Sequence, residues 1–251
     1  MIEKCIGNIL NSNCDLVVCK FQLFAENMEL LKVAGWNGLS LKINGIEAIK
    51  AIFTGNLVPT AWGKLYRKSA INGIKFPEKV WFEDNPFLVD FLLKANTISL
   101  IDKPLLKIHS HSTSITRRVI SKKRVIDLHK TYKMVFTLIA ENNQHLKVKA
   151  DVLALVFTNQ IRAMLDVFIL IMIDKNKLQK PELKNIRNTY LEVLQREIRE
   201  ISIDISSKIT FKIKLLQYIL MSPKYIGWQI PELIIYILKT NKYKYLKKLK
   251  G

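Results

Sequence analysis

The sequence predicts an α/β layer up to about Arg118 and an all-α part after it. Three observations carry this. Helix-like and strand-like runs alternate through the first part, which favours a layered sheet with helices on its faces. From about Ser121 only helical periodicity remains. Apolar residues make up 49% of the 251 residues and charged residues 24%, enough to fill a sizeable core.

In order, "MIEKCIGNILNSN" reads as a helix, because Ile2, Ile6, Ile9 and Leu10 recur at helical spacing. "DLVVCKFQLF" is a β-rich apolar run suited to a buried strand. "GIEAIKAIFTGN" is a short helix closed by Gly55 and Asn56. "AWGKLYRKSAINGIKF" reads as helix, turn and strand, with the turn at Asn72-Gly73. A helix follows over residues 84–95, then a short strand from Thr97 to Asp102. In the second part Val125, Leu128, Tyr132, Val135 and Ile139 share one helical face. Further helices are expected over 147–174, from Pro181 through Ile198, and near 207–220 and 229–249. The stretch Val152 to Ile173 is the most apolar. Asn159, Gln160, Arg162 and Asp166 interrupt it, so it reads as a buried helix and not a membrane span. The expected parts are therefore residues 1–118 and 119–251.

Forty Lys and Arg against 21 Asp and Glu give a net charge of +19. That excess implies an anionic partner: nucleic acid, an anionic membrane surface or a phosphorylated substrate. Cys5, Cys14 and Cys19 are odd in number and lack CxxC spacing, so they suggest neither a disulfide framework nor a zinc site. With no visible signal peptide, a reducing cytoplasm is the expected location.

The stretch "WFEDNPFLVDFLLKA" places Glu83 and Asp84 between two aromatics and an apolar helix. Asp at a helix start with Pro in the first turn is ordinary capping. The Trp81-Phe82 lead-in would partly desolvate the carboxylate and raise its basicity, while the helix dipole would pull the other way by favouring the ionised form. In "PLLKIHSHSTSITR", His109 and His111 are alternate residues that point the same way on a strand and could meet a metal or a diphosphate. The hydroxyl-rich loop that follows, ending in Arg117 and Arg118, suits phosphate oxygens.

Taken together, residues 61–116 resemble the second half of the catalytic domain of family 2 glycosyltransferases, the inverting type with a GT-A fold. The elements that carry the resemblance are Lys64-Leu65-Tyr66, Gly73-Ile74-Lys75-Phe76, Glu83-Asp84, the strand Thr97 to Asp102, and Ser114-Ile115-Thr116. "NSNCDLVVCKF" resembles the strand after that family's metal-binding aspartates. The resemblance implies an incomplete GT-A, Rossmann-like mixed sheet followed by a helical extension. It implies Asp84 as the base that takes a proton from the acceptor hydroxyl, with Glu83 its neighbour. It implies Trp62, Lys64 and Arg117 as substrate contacts and His111 near a metal or diphosphate, while His109 departs from a commonly arginine position. A nucleotide-sugar donor, a glycan or lipid-linked acceptor and a divalent cation, Mg²⁺ or Mn²⁺, would complete the reaction.

One departure is large. The chain has no Asp-x-Asp or Asp-Asp, and Met1 falls just after the place where that motif would lie. The expectation is an enzyme without its donor-binding half, inactive alone or completed by another chain, from bacterial surface-polysaccharide assembly. Lys64, Arg67, Arg117 and Arg118 would attract a diphosphate only weakly. The tail "IPELIIYILKTNKYKYLKKLKG" reads as a basic amphipathic helix for peripheral contact with the inner membrane face, or as a solvated tail. The alternative function is a non-catalytic basic helical protein that binds an anionic membrane or nucleic acid. The absence of a recognised nucleic-acid motif speaks against the latter.

Overall fold

The computed structural model describes residues 1–111, 121–142 and 150–160, with three single positions beyond. The chain divides into two units, Met1–Val119 with Ile126–Gln160, and Ile120–Val125 with Ile161–Gly251. The expected helices beyond residue 160, the basic tail, Ser114-Ile115-Thr116, Arg117 and Arg118 lie outside the described residues.

The first unit is a mixed α/β sheet with helices on it. Helix α1 (Ile2–Ser12) leads into the central strand β1 (Leu16–Phe24), which turns back as β2 (Leu30–Ala34). A two-residue strand β3 (Lys42–Ile43) precedes α2 (Gly45–Thr54). Then come β4 (Lys64–Tyr66), α3 (Asp84–Lys94), β5 (Ile98–His109) and α4 (Lys122–Glu141). Residues 150–160 are also helical. Among the described residues the sheet runs β2-β1-β5-β3, with β4 on β1. β1 and β5 are parallel, and the other pairs are antiparallel.

Strand alternation sorts the side chains. Val17 packs with Cys5 and Cys14 under α1, and Leu65, which pairs with Val17, joins that cluster. Leu16 faces the other way. Its partner Tyr66 meets Phe87 and Phe91 of α3 edge-on, with ring centroids 5.7 and 5.1 Å apart. Leu16, Ile49, Leu88, Phe91, Leu92 and Ile98 are fully buried and form the centre of the core. On α1, Ile2, Ile6 and Leu10 point outward as an apolar stripe.

α2 starts with a complete capping box. Asn44 accepts the Glu47 N–H at 2.9 Å, and Glu47 accepts the Asn44 N–H at 2.8 Å. Such a cap contributes about 1 kcal/mol. Gly55, at φ 83°, closes the helix in the left-handed conformation glycine adopts freely.

Three expectations need correction. Lys64-Leu65-Tyr66 is not helical; it is a strand held antiparallel against Val18, Val17 and Leu16. No strand follows the Asn72-Gly73 turn. β5, expected to end at Asp102, continues to His109 through Pro104. The β1–β5 register slips on both sides of Lys20, and Pro104 sits at that irregularity, where a missing N–H breaks no regular ladder. Lys20 closes the gap, pairing with Asp102 at 2.5 Å and lying 4.4 Å from the Trp36 ring centroid.

Of the second unit, the described part is the start of α4. Ser121 Oγ accepts the Arg124 N–H at 3.3 Å, an N-terminal cap. Among the described residues no helix is long and apolar enough to cross a membrane.

Candidate functional site

Asp84 is the first residue of α3, and Glu83 occupies the cap position without a side-chain capping bond. Capping is therefore not what Asp84 does. Its carboxylate accepts the backbone N–H of Ala61 instead, from the segment before β4. The approach to Asp84 is unusual, since Phe82 has φ 66°, where bulky residues rarely sit. Holding a phenylalanine there costs on the order of 1 kcal/mol, and the turn it makes sets how the chain enters α3.

Period-two alternation on β4 brings the remaining groups to Asp84. Lys64 and Tyr66 lie on the α3 side, while Leu65 lies under α1. Lys64 is only 8% exposed. Its ammonium donates to the carbonyls of Val58 at 3.1 Å and Thr60 at 2.5 Å, which folds residues 58–62 over it. The Tyr66 hydroxyl donates to the Ala61 carbonyl at 3.3 Å. Ala61 thus has its carbonyl held by Tyr66 and its N–H committed to Asp84. Gly63, at φ 72°, accepts the Cys19 N–H at 3.1 Å and its thiol at 3.4 Å, fixing the end of the segment to β1.

Burial dominates the electrostatics. It raises the Asp84 pKa above the usual carboxylate value, and the charge of Glu83 adds to the rise. The Ala61 N–H and the Lys64 charge oppose it. Burial lowers the Lys64 pKa to about 8, with Asp84 and then Cys19 pulling back upward. The Tyr66 phenol is pushed well up by burial and by the Asp84 charge, so it stays a hydrogen-bond donor. The group combines a carboxylate of raised proton affinity with a cation and two fixed dipoles. That is the equipment of a general base.

Lys64 gives a direct test. Between about pH 8 and 10.5 the unfolded chain keeps this lysine charged while the folded chain releases the proton. Stability should therefore rise across that window, by about 3 kcal/mol in full. Lys64→Met should flatten the rise, as read from urea unfolding at pH 7.5 and pH 10.5. An identical slope in the variant would mean that the amine is not buried in this way.

Trp62 is 42% exposed, with its ring edge-on to Phe21 at 4.8 Å. It offers an apolar platform directly after Ala61. Lys64, expected among the substrate contacts, is committed to the Val58 and Thr60 carbonyls and acts on Asp84 through its charge. Arg67 donates to the Cys14 carbonyl at 3.0 Å and to Asn13 Oδ1 at 3.1 Å, tying down the end of α1. His111 is exposed just past β5, and His109 stacks on Phe24 at 5.5 Å. Lys64 pairs with Val18, whereas His109 pairs with Phe24. Along β1 that separates them by roughly 20 Å. Among the described residues no group of three or more His, Cys, Asp or Glu converges to hold a metal.

The sequence reading missed Tyr66 and the Ala61 N–H. The signal for Tyr66 was its i+2 spacing from Lys64, visible only once the segment is read as a strand. A backbone N–H has no signal in side-chain identity.

No family model matches the chain, and no curated protein does. Among solved structures it is similar to S. aureus TarS 1–349. The TarS complex with UDP-GlcNAc superimposes with a TM-score of 0.65 at 16% identity, covering 87% of this chain and 58% of that one. The TarS complex with UDP gives a TM-score of 0.61, and a further crystal structure of TarS 1–349 gives 0.62, both at 16% identity and 57% of the TarS chain. The chain therefore spans less than two thirds of the TarS structures it matches. What the likeness establishes is the fold, a glycosyltransferase-like α/β architecture.

Proposed function

We propose that the chain carries the acceptor-side part of an inverting glycosyltransferase of the family 2, GT-A type, acting in bacterial surface-glycan synthesis. The observation that supports this most is the Asp84 group, a partly buried carboxylate that accepts the Ala61 N–H and lies in the field of the Lys64 charge, on this fold. Asp84 takes the proton from an acceptor hydroxyl as that oxygen attacks the anomeric carbon. The carbon–oxygen bond to the nucleoside diphosphate breaks on the opposite face, and the configuration inverts. The proton ends on Asp84, and the diphosphate leaves with the electron pair. Trp62 offers its exposed ring to an apolar sugar face beside the base.

The donor is a uridine-diphosphate sugar, the class found with TarS. Residues outside this chain supply the rest of its site, since no Asp-x-Asp occurs here. A divalent cation would neutralise the diphosphate there, and the described residues form no group of three His, Cys, Asp or Glu to hold it.

Calorimetry tests this. UDP-GlcNAc with Mn²⁺ is expected to bind the chain weakly at most, with an attraction that fades as salt rises. Supplying a donor-binding half with an Asp-x-Asp, fused or in trans, should give metal-dependent micromolar binding. Such binding by the chain alone would move the donor site into these 251 residues. Failure of the completed protein to bind would remove the transferase reading.

A further inference from the structure

The far side of α3 from Asp84 holds a second feature. Asp84, Phe87 and Phe91 face β4, whereas Pro86 and Asp90 line a cleft of about 640 Å³ between α3, α4 and residues 75–77. That volume lies within the range of small-molecule sites. All of its lining residues belong to the first unit.

The lining is polarised. Phe76, Met134 and Leu138 give it an apolar wall, and Phe76 is fixed by stacking on Phe87 at 3.8 Å. Phe76 and Met134 remain 45% and 38% exposed, a high value for large apolar side chains in one concavity. Lys130 and Lys133, at i and i+3, stand toward the N-terminal end of the α4 face, with Lys75 on the opposite wall. Met134 and Leu138 continue the same face toward its C-terminal end. From Lys130 to Leu138 the face is roughly 12 Å long, basic at one end and apolar at the other. Asp90, the acidic residue in the lining, pairs with Lys94 at 2.9 Å, so its charge is already met.

We propose that this cleft binds a single-chain lipid phosphate, with the hydrocarbon along Phe76, Met134 and Leu138 and the phosphate at Lys75, Lys130 and Lys133. An acidic peptide would match the lysines but leave the apolar wall uncovered. A neutral hydrocarbon would leave three ammonium groups facing it. An amphiphile with one anionic head satisfies both ends, and the chain's net charge of +19 draws it to the surfaces where such molecules reside. The proposal does not depend on the transferase reading.

The test is calorimetry on the full chain with farnesyl phosphate, below its micelle concentration. Micromolar binding is expected, with farnesol and inorganic phosphate each at least tenfold weaker. Lys130→Gln/Lys133→Gln should weaken farnesyl phosphate roughly tenfold or more and leave farnesol unchanged. Met134→Glu places a charge in the path of the hydrocarbon. Because Met134 is partly exposed, that variant should keep its melting temperature while losing the lipid phosphate. UDP-GlcNAc should not compete. No binding of farnesyl phosphate would overturn the proposal, as would equal binding of farnesol or of phosphate alone. Displacement by polyglutamate at equal charge concentration would overturn it in favour of an acidic peptide. Retention of binding in both variants would place the lipid elsewhere.

Discussion

Asp84→Asn is expected to lower sugar transfer by about 10²–10⁴-fold, the usual contribution of a general base, while making the fold more stable at neutral pH. The two effects share one cause. Burial makes the folded chain hold the Asp84 proton more tightly than the unfolded chain does. Below the ordinary carboxylate pKa of about 3.9 both states are protonated, and folding bears no cost. As pH rises through that value the unfolded chain ionises first, and stability falls until the folded carboxyl ionises too. At neutral pH the full cost remains. Asparagine removes it and still presents an oxygen to the Ala61 N–H. The variant should therefore melt higher than the parent at pH 7, with the difference shrinking toward pH 3.5. Unchanged turnover in the completed enzyme would leave Asp84 a purely structural role. A lower melting temperature at pH 7 would mean that the attraction of Lys64 outweighs the burial.

Gly45→Ala is expected to be the most damaging single added methyl where α2 packs on α3. A Cβ at Gly45 would lie 1.9 Å from the Leu92 carbonyl oxygen and 2.8 Å from that of Ala95. Both are backbone atoms at the end of α3, so no side-chain rotation relieves the contact. The helices must part, and a loss of about 3 kcal/mol is expected, at the high end for overpacking. For a chain of this size that lowers the melting temperature by roughly 6–12 °C. Thermal unfolding by circular dichroism reads it. A change within 2 °C would mean that α2 and α3 slide apart at little cost. Because α3 carries Asp84 at its other end, the same variant should also disturb the base.

How much was legible depended on whether the signal was local. β1 and α2 announce themselves through long apolar periodicity, and α3 through Pro86 and the run from Phe87 to Leu93. β4 did not. It has three residues, too few for a period, and it is a strand because β1 offers an edge. β2 is exposed along most of its length, so it lacks the buried alternation that marks a strand. The continuation of β5 past Asp102 was not legible either, because the slip around Lys20 that accommodates Pro104 depends on the pairing with β1. At the site, the Glu83-Asp84 pair was readable as chemistry. Its partners were not, because Ala61 and Tyr66 reach Asp84 only after residues 58–66 fold back against β1.

The parallel pairing of β1 with β5 has a consequence for how the chain reaches this state. Leu16 lies beside Ile98, and β1 supports β2 and β4 along its other edge. The loop closed by that pairing contains β2, β3, α2, β4 and α3. β4 can dock on β1 and on α3 beforehand, but β3, which pairs with β5, and the parallel edge of β1 must wait until the two distant strands meet. The entropy of closing so long a loop falls on a single event, and parallel pairings of this kind are slow to form. Completion of the sheet should therefore wait on the β1–β5 encounter. A chain emerging from the ribosome can set β4 and the Asp84 group against β1 before β5 has been synthesised, while the parallel edge of β1 stays open until β5 arrives.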